Sequence, residues 1–253
     1  MPPEQERNMD KDNPAHSSKK NRFNPEVAKQ FNAARALMKK RQWDKAQSLL
    51  LSAHAAEPKD TFVLVGLGDL KRFKKDFHSA IQFYEDCLAI DPHNKFALSG
   101  LGDAHRGNRN LPEAINAWAT NIALYPDNFQ VLTRLADAYV KTGETDQAAG
   151  LYQDALKINK NDPYALSGLG NLYVQQKEWD KAKPLLETLA ENQKTNQRAL
   201  GALANFYRKQ QIWDKAAPIF DQILALNERN VYALDGAADC ARGMQDYHRA
   251  AQM

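Results

Sequence analysis

Residues 164–182 read YALSGLGNLYVQQKEWDKA. The same order of apolar, small and polar residues occurs in FALSGLGDAHRGNRN, from Phe96, and in YALDGAADCARGMQD, from Tyr232, which lie at equal distances before and after it. Related copies at half that spacing start at Phe62, Gln130 and Arg198, so the period is 34 residues. A fixed period of this length is typical of a chain that stacks one supersecondary unit many times. The sequence therefore predicts a repeat architecture, in which each unit buries its apolar face against its neighbours.

Seven units keep this register without insertion or deletion, and they start at Val27, Thr61, Lys95, Phe129, Pro163, Gln197 and Val231. Six units are complete, and the seventh stops part-way, at Met253. We assign residues 23–253 to the repeat array. Residues 1–22 carry charges of both signs and show no apolar periodicity, which predicts a disordered polar tail. Asn24 followed by Pro25 is typical of a helix start, so we expect the first helix to begin there.

Each unit contains the apolar patterns of two helices. Leucines at positions four and seven, with a small residue at position eight, follow the spacing of one helical face. Alanine at position 20 and a bulky residue at position 24 form the inward stripe of a second helix; the bulky residues are Leu50, Tyr84, Trp118, Tyr152, Leu186 and Phe220. The polar stretch between the two patterns predicts a turn, and the unit is a helix pair.

Proline marks the expected ends of several second helices. Pro58, Pro92 and Pro126 should stop them, and less sharp ends are expected where Lys160, Lys194 and Glu228 take that place. Asp180 and Asp214 are candidate caps for two second helices, with Pro184 and Pro218 close behind them.

The pattern resembles the tetratricopeptide repeat family, whose members stack helix–turn–helix units of this length. The resemblance covers about nine-tenths of the chain, although Leu replaces the family's Trp at position four in most units. It implies an all-α fold, a right-handed superhelical solenoid of antiparallel helix pairs. It also implies that the first helices line a concave groove, where members of the family hold protein or peptide ligands.

Composition and motifs exclude several other classes of function. Thirty-four basic and 31 acidic residues give a net charge of only +3, so binding to nucleic acid is not expected. Neither an apolar run long enough to span a membrane nor a secretory signal is present, and two cysteines form no disulfide framework, which favours the cytoplasm. Cys87 and Cys240 occupy positions expected in the core. The sequence has no phosphate loop, nucleophile elbow or metal-ligand spacing, so we expect no enzyme activity, no cofactor and no metal.

The candidate binding residues lie at the groove positions that the resemblance implies. Position two is often aromatic, position nine is Asp or Asn, and position twelve is often Arg. Glycine at position six, as in Gly66 and Gly100, is expected to let a partner's backbone approach. The candidates are Phe62, Asp69, Arg72, Phe96, Asp103, Arg106, Asp137, Tyr164, Asn171, Asn205, Arg208, Tyr232, Asp239 and Arg242.

A second interpretation of the same residues is structural. Asp and Arg three residues apart on one helix form an ion pair worth about 0.2–0.5 kcal/mol, as Asp69 with Arg72 would. If these residues instead bind a partner, the aspartates would receive a segment that carries basic and apolar side chains. The family's clamp for the carboxyl terminus of chaperones is not expected, because Asp at position nine would repel a carboxylate.

We therefore expect an interaction scaffold or adaptor that binds a protein or peptide segment in the groove. One alternative is the substrate-recognition arm of a larger enzyme whose catalytic domain lies beyond Met253. A second, RNA binding through the arginines at position twelve, is disfavoured by the aspartates that alternate with them. Because the seventh unit lacks its second helix, we also expect the face of Leu234, Ala237, Ala238 and Ala241 to be partly uncovered. Self-association or fraying after Ala241 would follow from that.

Overall fold

The computed structural model describes residues 24–246 and Ala250. Thirteen α-helices and no strand lie in that part of the chain, which confirms the prediction of an all-α fold. In chain order they are α1 (Pro25–Lys39), α2 (Trp43–Ala56), α3 (Thr61–Phe73), α4 (Phe77–Ile90), α5 (Lys95–Gly107), α6 (Leu111–Leu124), α7 (Phe129–Thr142), α8 (Thr145–Ile158), α9 (Pro163–Gln175), α10 (Trp179–Asn192), α11 (Gln197–Lys209), α12 (Trp213–Leu226) and α13 (Val231–Gly243).

The odd-numbered helices are the first helices of the units. From α3 onward they begin at Thr61, Lys95, Phe129, Pro163, Gln197 and Val231, the residues with which the units start in the sequence. Each first helix packs against the second helix that follows it, and each second helix packs against the next first helix. The result is a solenoid of antiparallel helix pairs, held by contacts between neighbours along the chain.

Side chains cap the first helices. The carboxamide of Asn24 accepts a hydrogen bond from the backbone N–H of Glu26, as predicted, and Pro25 is the first helical residue. Equivalent caps precede five later first helices, at Asp60, Asn94, Asp162, Asn196 and Asn230. Each cap satisfies a backbone donor at the helix start that would otherwise lack a partner.

The second helices are bounded differently from what the sequence predicts. Glu178 precedes α10 and Ile212 precedes α12, and neither side chain caps its helix. The predicted caps Asp180 and Asp214 are wrong, because both residues are already the second residue of their helix. As a consequence Pro184 is the sixth residue of α10, where it removes a main-chain hydrogen bond. Pro218 has the same place in α12.

The ends of the second helices do not depend on proline. Helices α4 and α6 end at Ile90 and Leu124, two residues before a proline, as predicted. Helices α8 and α12 end at the same unit position, at Ile158 and Leu226, although no proline follows them. The expectation of less sharp ends is therefore wrong for α8 and α12. Helix α10 also ends at this unit position, at Asn192, but the backbone N–H of Gln193 is shared between the carbonyl oxygens of Leu189 and Ala190, so its end is less regular, as expected.

A left-handed residue joins the two helices of each complete unit at position 15. It is Gly143 in the fourth unit, and residues with a side chain, at φ from 56° to 63°, in the others: Arg41, Lys75, Arg109, Lys177 and Gln211.

Replacing Lys177 by Gly is expected to raise the free energy of unfolding by about 1 kcal/mol, because a Cβ is unfavourable in this conformation. Urea unfolding of the Lys177→Gly variant measures this change in the free energy of unfolding. The reverse substitution, Gly143→Lys, is the control and should lose stability. A less stable Lys177→Gly variant would contradict it.

The core repeats along the array with the expected alternation of small and bulky residues. The alanines at position 20 are fully buried in all six complete units: Ala46, Ala80, Ala114, Ala148, Ala182 and Ala216. The bulky side chains at position 24 are buried as well, and Tyr84 shows how they fit. Its ring lies between Gly68 of its own unit and Gly100 of the next, and a Cβ on either glycine would overlap it.

The glycines at position six therefore have a different role from the one predicted. Gly66 and Gly100 are buried, and they make room for the side chains of Leu50 and Tyr84 from the preceding second helix. Gly168 accommodates Tyr152 in the same way. The expectation that a partner's backbone approaches these glycines is wrong for Gly100 and Gly168, because the rings of Tyr84 and Tyr152 fill that space. It stays a prediction for Gly66, which lines an open cavity beside Phe31.

Both cysteines lie in the core, as expected. The thiol of Cys87 donates a hydrogen bond to the carbonyl oxygen of Thr61 over 3.7 Å. Burial, followed by the charges of Asp91 and Asp60, raises the pKa of Cys87 to about 12. At neutral pH this thiol stays protonated, which makes it a weak nucleophile.

In the seventh unit, α13 packs against α12 and α11. Ala237 and Ala241 are buried, whereas Leu234 and Ala238 remain half-buried. The face of these four residues is thus partly uncovered, as expected. The predicted tail of residues 1–22, and residues 247–249 and 251–253 of the seventh unit, lie outside the described residues.

Candidate functional site

Two open cavities lie on the surface formed by positions two, five and nine of the first helices, which we call the first-helix surface. The N-terminal cavity, of about 850 Å³, lies among α1, α3 and α5. The C-terminal cavity, of about 590 Å³, lies among α9, α11 and α13. The repeat places equivalent positions side by side, so side chains from the same position of neighbouring units line the same cavity.

The N-terminal cavity has aromatic walls. Phe31 and Phe62 meet edge to face with their ring centroids 6.2 Å apart, and Trp43 stacks on Phe73 at 5.7 Å. Phe96 completes the wall on α5. The exposed fractions of Phe62 and Phe96 are 50% and 67%, which is high for phenylalanine. Large exposed apolar groups that lie together are typical of binding sites.

Three cations line the same cavity: Arg35, Lys39 and Arg41. All three are exposed, and the guanidinium carbon of Arg35 lies 5.7 Å from the centroid of the Phe31 ring. Within residues 24–246, no carboxylate oxygen lies within 4.0 Å of a charged nitrogen of these three side chains. Carboxylates of the described residues therefore do not neutralise these three charges.

Asp69, by contrast, already has internal partners. Its Oδ1 accepts a hydrogen bond from the hydroxyl of Tyr84 over 2.8 Å, and Nη2 of Arg72 lies 3.2 Å from the same atom. Burial, and after it the charge of Asp69, raise the pKa of Tyr84, so the phenol keeps the proton that it donates. The ion pair within the helix confirms the structural interpretation of this pair.

Asp103 is the centre of a larger cluster, the Asp103 network, formed with Arg72, Arg106 and Arg134. Only 8% of Asp103 is exposed, and its carboxylate oxygens lie 3.5 Å from Arg72, 3.5 Å from Arg106 and 3.2 Å from Arg134. Burial lowers the pKa of Arg72, but Tyr84, Asp69 and Asp103 together raise it above its usual value. Arg72 therefore stays charged, and the network connects three consecutive first helices.

Arg134 has a special place because it occupies position six, where most units have glycine or alanine. Its Nη1 also donates a hydrogen bond to the hydroxyl of Ser99 over 3.0 Å. The backbones of α5 and α7 approach less closely than those of the other neighbouring first helices. The guanidinium of Arg134 therefore bridges the junction between α5 and α7.

The other aspartates at position nine, which form a row along the first helices, also have partners within the array. The hydroxyl of Tyr152 donates to Oδ1 of Asp137. Arg208 lies 2.9 Å from Asp239, and Arg242 pairs with the same carboxylate from one turn further along the helix. Each of these aspartates thus has a partner within the array, which supports the structural interpretation. That they also receive a basic segment stays a prediction.

Amide side chains dominate the C-terminal cavity. Asn171 and Asn205, both predicted binding residues, line it together with Gln197 and Asn230. Tyr232 also lines it, but its hydroxyl donates to the carbonyl oxygen of Gly201 over 3.0 Å. Such a lining offers hydrogen bonds to a peptide backbone rather than a strong charge.

Sequence profiles of the tetratricopeptide repeat family match residues 63–94, 99–165, 143–206 and 199–231. The chain belongs to the tetratricopeptide repeat family. No curated protein matches the sequence. Within the described residues, no helix is long and apolar enough to cross a membrane, and no three His, Cys, Asp or Glu side chains gather where a metal ion could bind.

Solved structures of tetratricopeptide repeat proteins have the same fold. PilF of Pseudomonas aeruginosa is 18% identical, with a TM-score of 0.76 over 85% of this chain and 98% of PilF. MamA is 27% identical, with a TM-score of 0.60 over 67% of this chain and 92% of MamA. YrrB, described as having an unusual peptide-binding site, is 19% identical, with a TM-score of 0.61 over 74% of this chain and 96% of YrrB.

The predicted binding residues do not form one site: most of them lie in two cavities and in two groups of ion pairs. Phe62, Asp69 and Phe96 line the N-terminal cavity, and Asn171, Asn205 and Tyr232 line the C-terminal cavity. Tyr164, with an exposed fraction of 71%, lines neither of them. The charged candidates are engaged with one another: Arg72, Asp103 and Arg106 in the Asp103 network, and Arg208, Asp239 and Arg242 at the other end.

The first unit of the array also contributes to the N-terminal cavity, although none of its residues is among the predicted ones. Phe31, Arg35, Met38 and Lys39 occupy positions five, nine, twelve and thirteen of that unit, and all four line the cavity. The signal is present in the sequence, because Arg35 stands at position nine, where the other units have Asp or Asn.

Proposed function

We propose that this protein is an interaction scaffold that binds a protein or peptide segment on the first-helix surface, with the N-terminal cavity as its main anchoring site. The observation that carries the proposal is the pair of exposed rings, Phe62 and Phe96, at the wall of an open aromatic cavity of about 850 Å³. Aromatic side chains in well-packed pockets supply most of the binding energy in protein interfaces. The fold shared with tetratricopeptide repeat proteins supports this function.

The other expectations from the sequence remain predictions. They are a location in the cytoplasm, the lack of enzyme activity, the lack of nucleic acid among the partners, and self-association through the seventh unit. The alternative, a recognition arm of a larger enzyme, uses the same first-helix surface, and the identity of the captured partner distinguishes the two.

The test begins with the capture of partners on the immobilised chain and their identification by mass spectrometry. The double variant Phe62→Ala/Phe96→Ala is then titrated with the identified partner. We expect its affinity to fall about 30-fold or more, because two anchoring rings are lost from one pocket. Neither ring is a buried core residue, so circular dichroism should show the helix content of the unchanged protein.

Ile158→Ala/Leu226→Ala is the matched control. These two side chains are exposed to a similar degree at the ends of second helices, and they line neither cavity. The control should bind as tightly as the unchanged protein. Equal affinity of both double variants would place the partner elsewhere and refute the proposed site.

A further inference from the structure

The charges of the first-helix surface differ in whether they have internal partners. Its aspartates do, from Asp69 at the N-terminal end to Asp239 at the C-terminal end. The cations of the N-terminal cavity, Arg35, Lys39 and Arg41, have no carboxylate within ion-pair distance in the described part of the chain. A charged ligand that enters this cavity therefore meets available positive charge.

We propose that the N-terminal cavity binds an acidic protein segment in which a bulky apolar side chain is flanked by carboxylates. This inference rests on the proposed function and specifies the chemistry of its partner. It reverses the expectation from the sequence of a basic, apolar segment, because the aspartates that would attract such a segment are paired internally.

The geometry of the cavity fits both parts of such a segment. Its volume lies in the range of pockets that enclose a compact ligand, and its aromatic walls favour burial of an apolar side chain. Two of the three cations are arginines, whose planar guanidinium groups form paired hydrogen bonds with a carboxylate. Arg41, in the left-handed turn after α1, and Arg35, on α1, give the cavity basic groups from two elements.

A nucleic-acid strand fits this surface less well. It would need basic groups along the whole groove to follow its phosphates. Beyond α5, however, the arginines Arg134, Arg208 and Arg242 are paired with aspartates, and amides line the C-terminal cavity, with Arg198 as its one cation. Three cations gather at the N-terminal cavity, against one at the C-terminal cavity, and this concentration of positive charge suits a short acidic segment.

The experiment measures fluorescence polarisation of labelled synthetic peptide pools on the full chain. Each pool has a central Phe or Leu, flanked by Asp and Glu in the first pool, by Lys and Arg in the second, and by Ser and Gln in the third. An oligouridylate and an acidic pool with a central Ala complete the set of probes. We expect the acidic pool with the apolar centre to bind most tightly and to lose affinity as salt is added.

The variant Arg35→Gln/Lys39→Gln/Arg41→Gln should weaken binding of that pool about tenfold. Its matched control, Lys160→Gln/Lys194→Gln/Arg229→Gln, removes the same charge from the turns between later units and should bind normally. Equal binding by the two triple variants would overturn the inference. So would tightest binding by the basic pool or by the oligouridylate, and so would an acidic pool that binds no better with Phe or Leu than with Ala at its centre.

The outcome for this inference can be separated from that for the proposed function. If the captured partner loses affinity in Phe62→Ala/Phe96→Ala but not in the triple cation variant, the binding site is correct and the acidic chemistry is wrong. If neither variant affects that partner, both proposals are wrong.

Discussion

Replacing Asp103 by Ala is expected to lower the free energy of unfolding by about 2 kcal/mol. The carboxylate is buried, and its loss would leave Arg72, Arg106 and Arg134 without the charge that they share. Removing one partner of a fully buried ion pair costs about 3–5 kcal/mol, and the partial exposure of the three arginines reduces that cost. The loss should be concentrated at α3, α5 and α7, because a repeat array is stabilised by contacts between neighbours. Hydrogen exchange during urea unfolding measures both its size and its place.

Asp44→Ala is the control for this substitution. Asp44 also forms an ion pair, with Lys74 at 3.2 Å, but its side chain is 96% exposed, and its loss should change stability very little. If Asp103 is a binding residue, as the sequence predicts, the substitution should instead lower partner affinity slightly and leave the fold unchanged. If Asp103→Ala is as stable as the unchanged protein and binds its partner less tightly, Asp103 contacts the ligand and the network is not structural.

Replacing Gly168 by Ala should also destabilise the protein by about 2 kcal/mol, although alanine is the better helix former. A Cβ at this position would overlap the ring of Tyr152. That ring is buried and its hydroxyl is bonded to Asp137, so it has little freedom to move away. Urea unfolding of the purified variant measures the loss.

Gly150→Ala provides the opposite case in a neighbouring helix. Gly150 lies inside α8, is exposed, and has no atom within 4 Å of the place where a Cβ would be. Its replacement should raise the free energy of unfolding by about 1 kcal/mol. If the two glycine variants shift stability in the same direction, the packing explanation for Gly168 is wrong.

The sequence predicts features that depend on one helix or on the period. The start of α1 at Pro25, the buried alanines at position 20 and the pair of Asp69 with Arg72 are local, and the structure contains them. The contact of Gly168 with Tyr152 of the preceding unit depends on how two helices cross, and no helical spacing reveals it. For the same reason the period does not show that Arg134 reaches Asp103 on another helix.

The candidate site is predicted less completely than the fold. The aromatic positions Phe62 and Phe96 follow from the repeat, and they line a cavity. The electrostatic character of that cavity does not follow, because it depends on which charges are left after the internal pairs have formed. Arg35 could have been found in the sequence as the exception at position nine, since one changed residue in a regular row is visible without a structure.

The rings between helices also decide where the array can be divided into fragments. Phe220 belongs to the sixth unit in the sequence, but Gly236 of α13 covers its ring, just as Gly100 of α5 covers Tyr84. A fragment excised at the end of α4, α8 or α12 would expose the ring of Tyr84, Tyr152 or Phe220 to water. One that ends after the next first helix would keep that ring covered, so an odd number of helices is the natural length for such an excised piece.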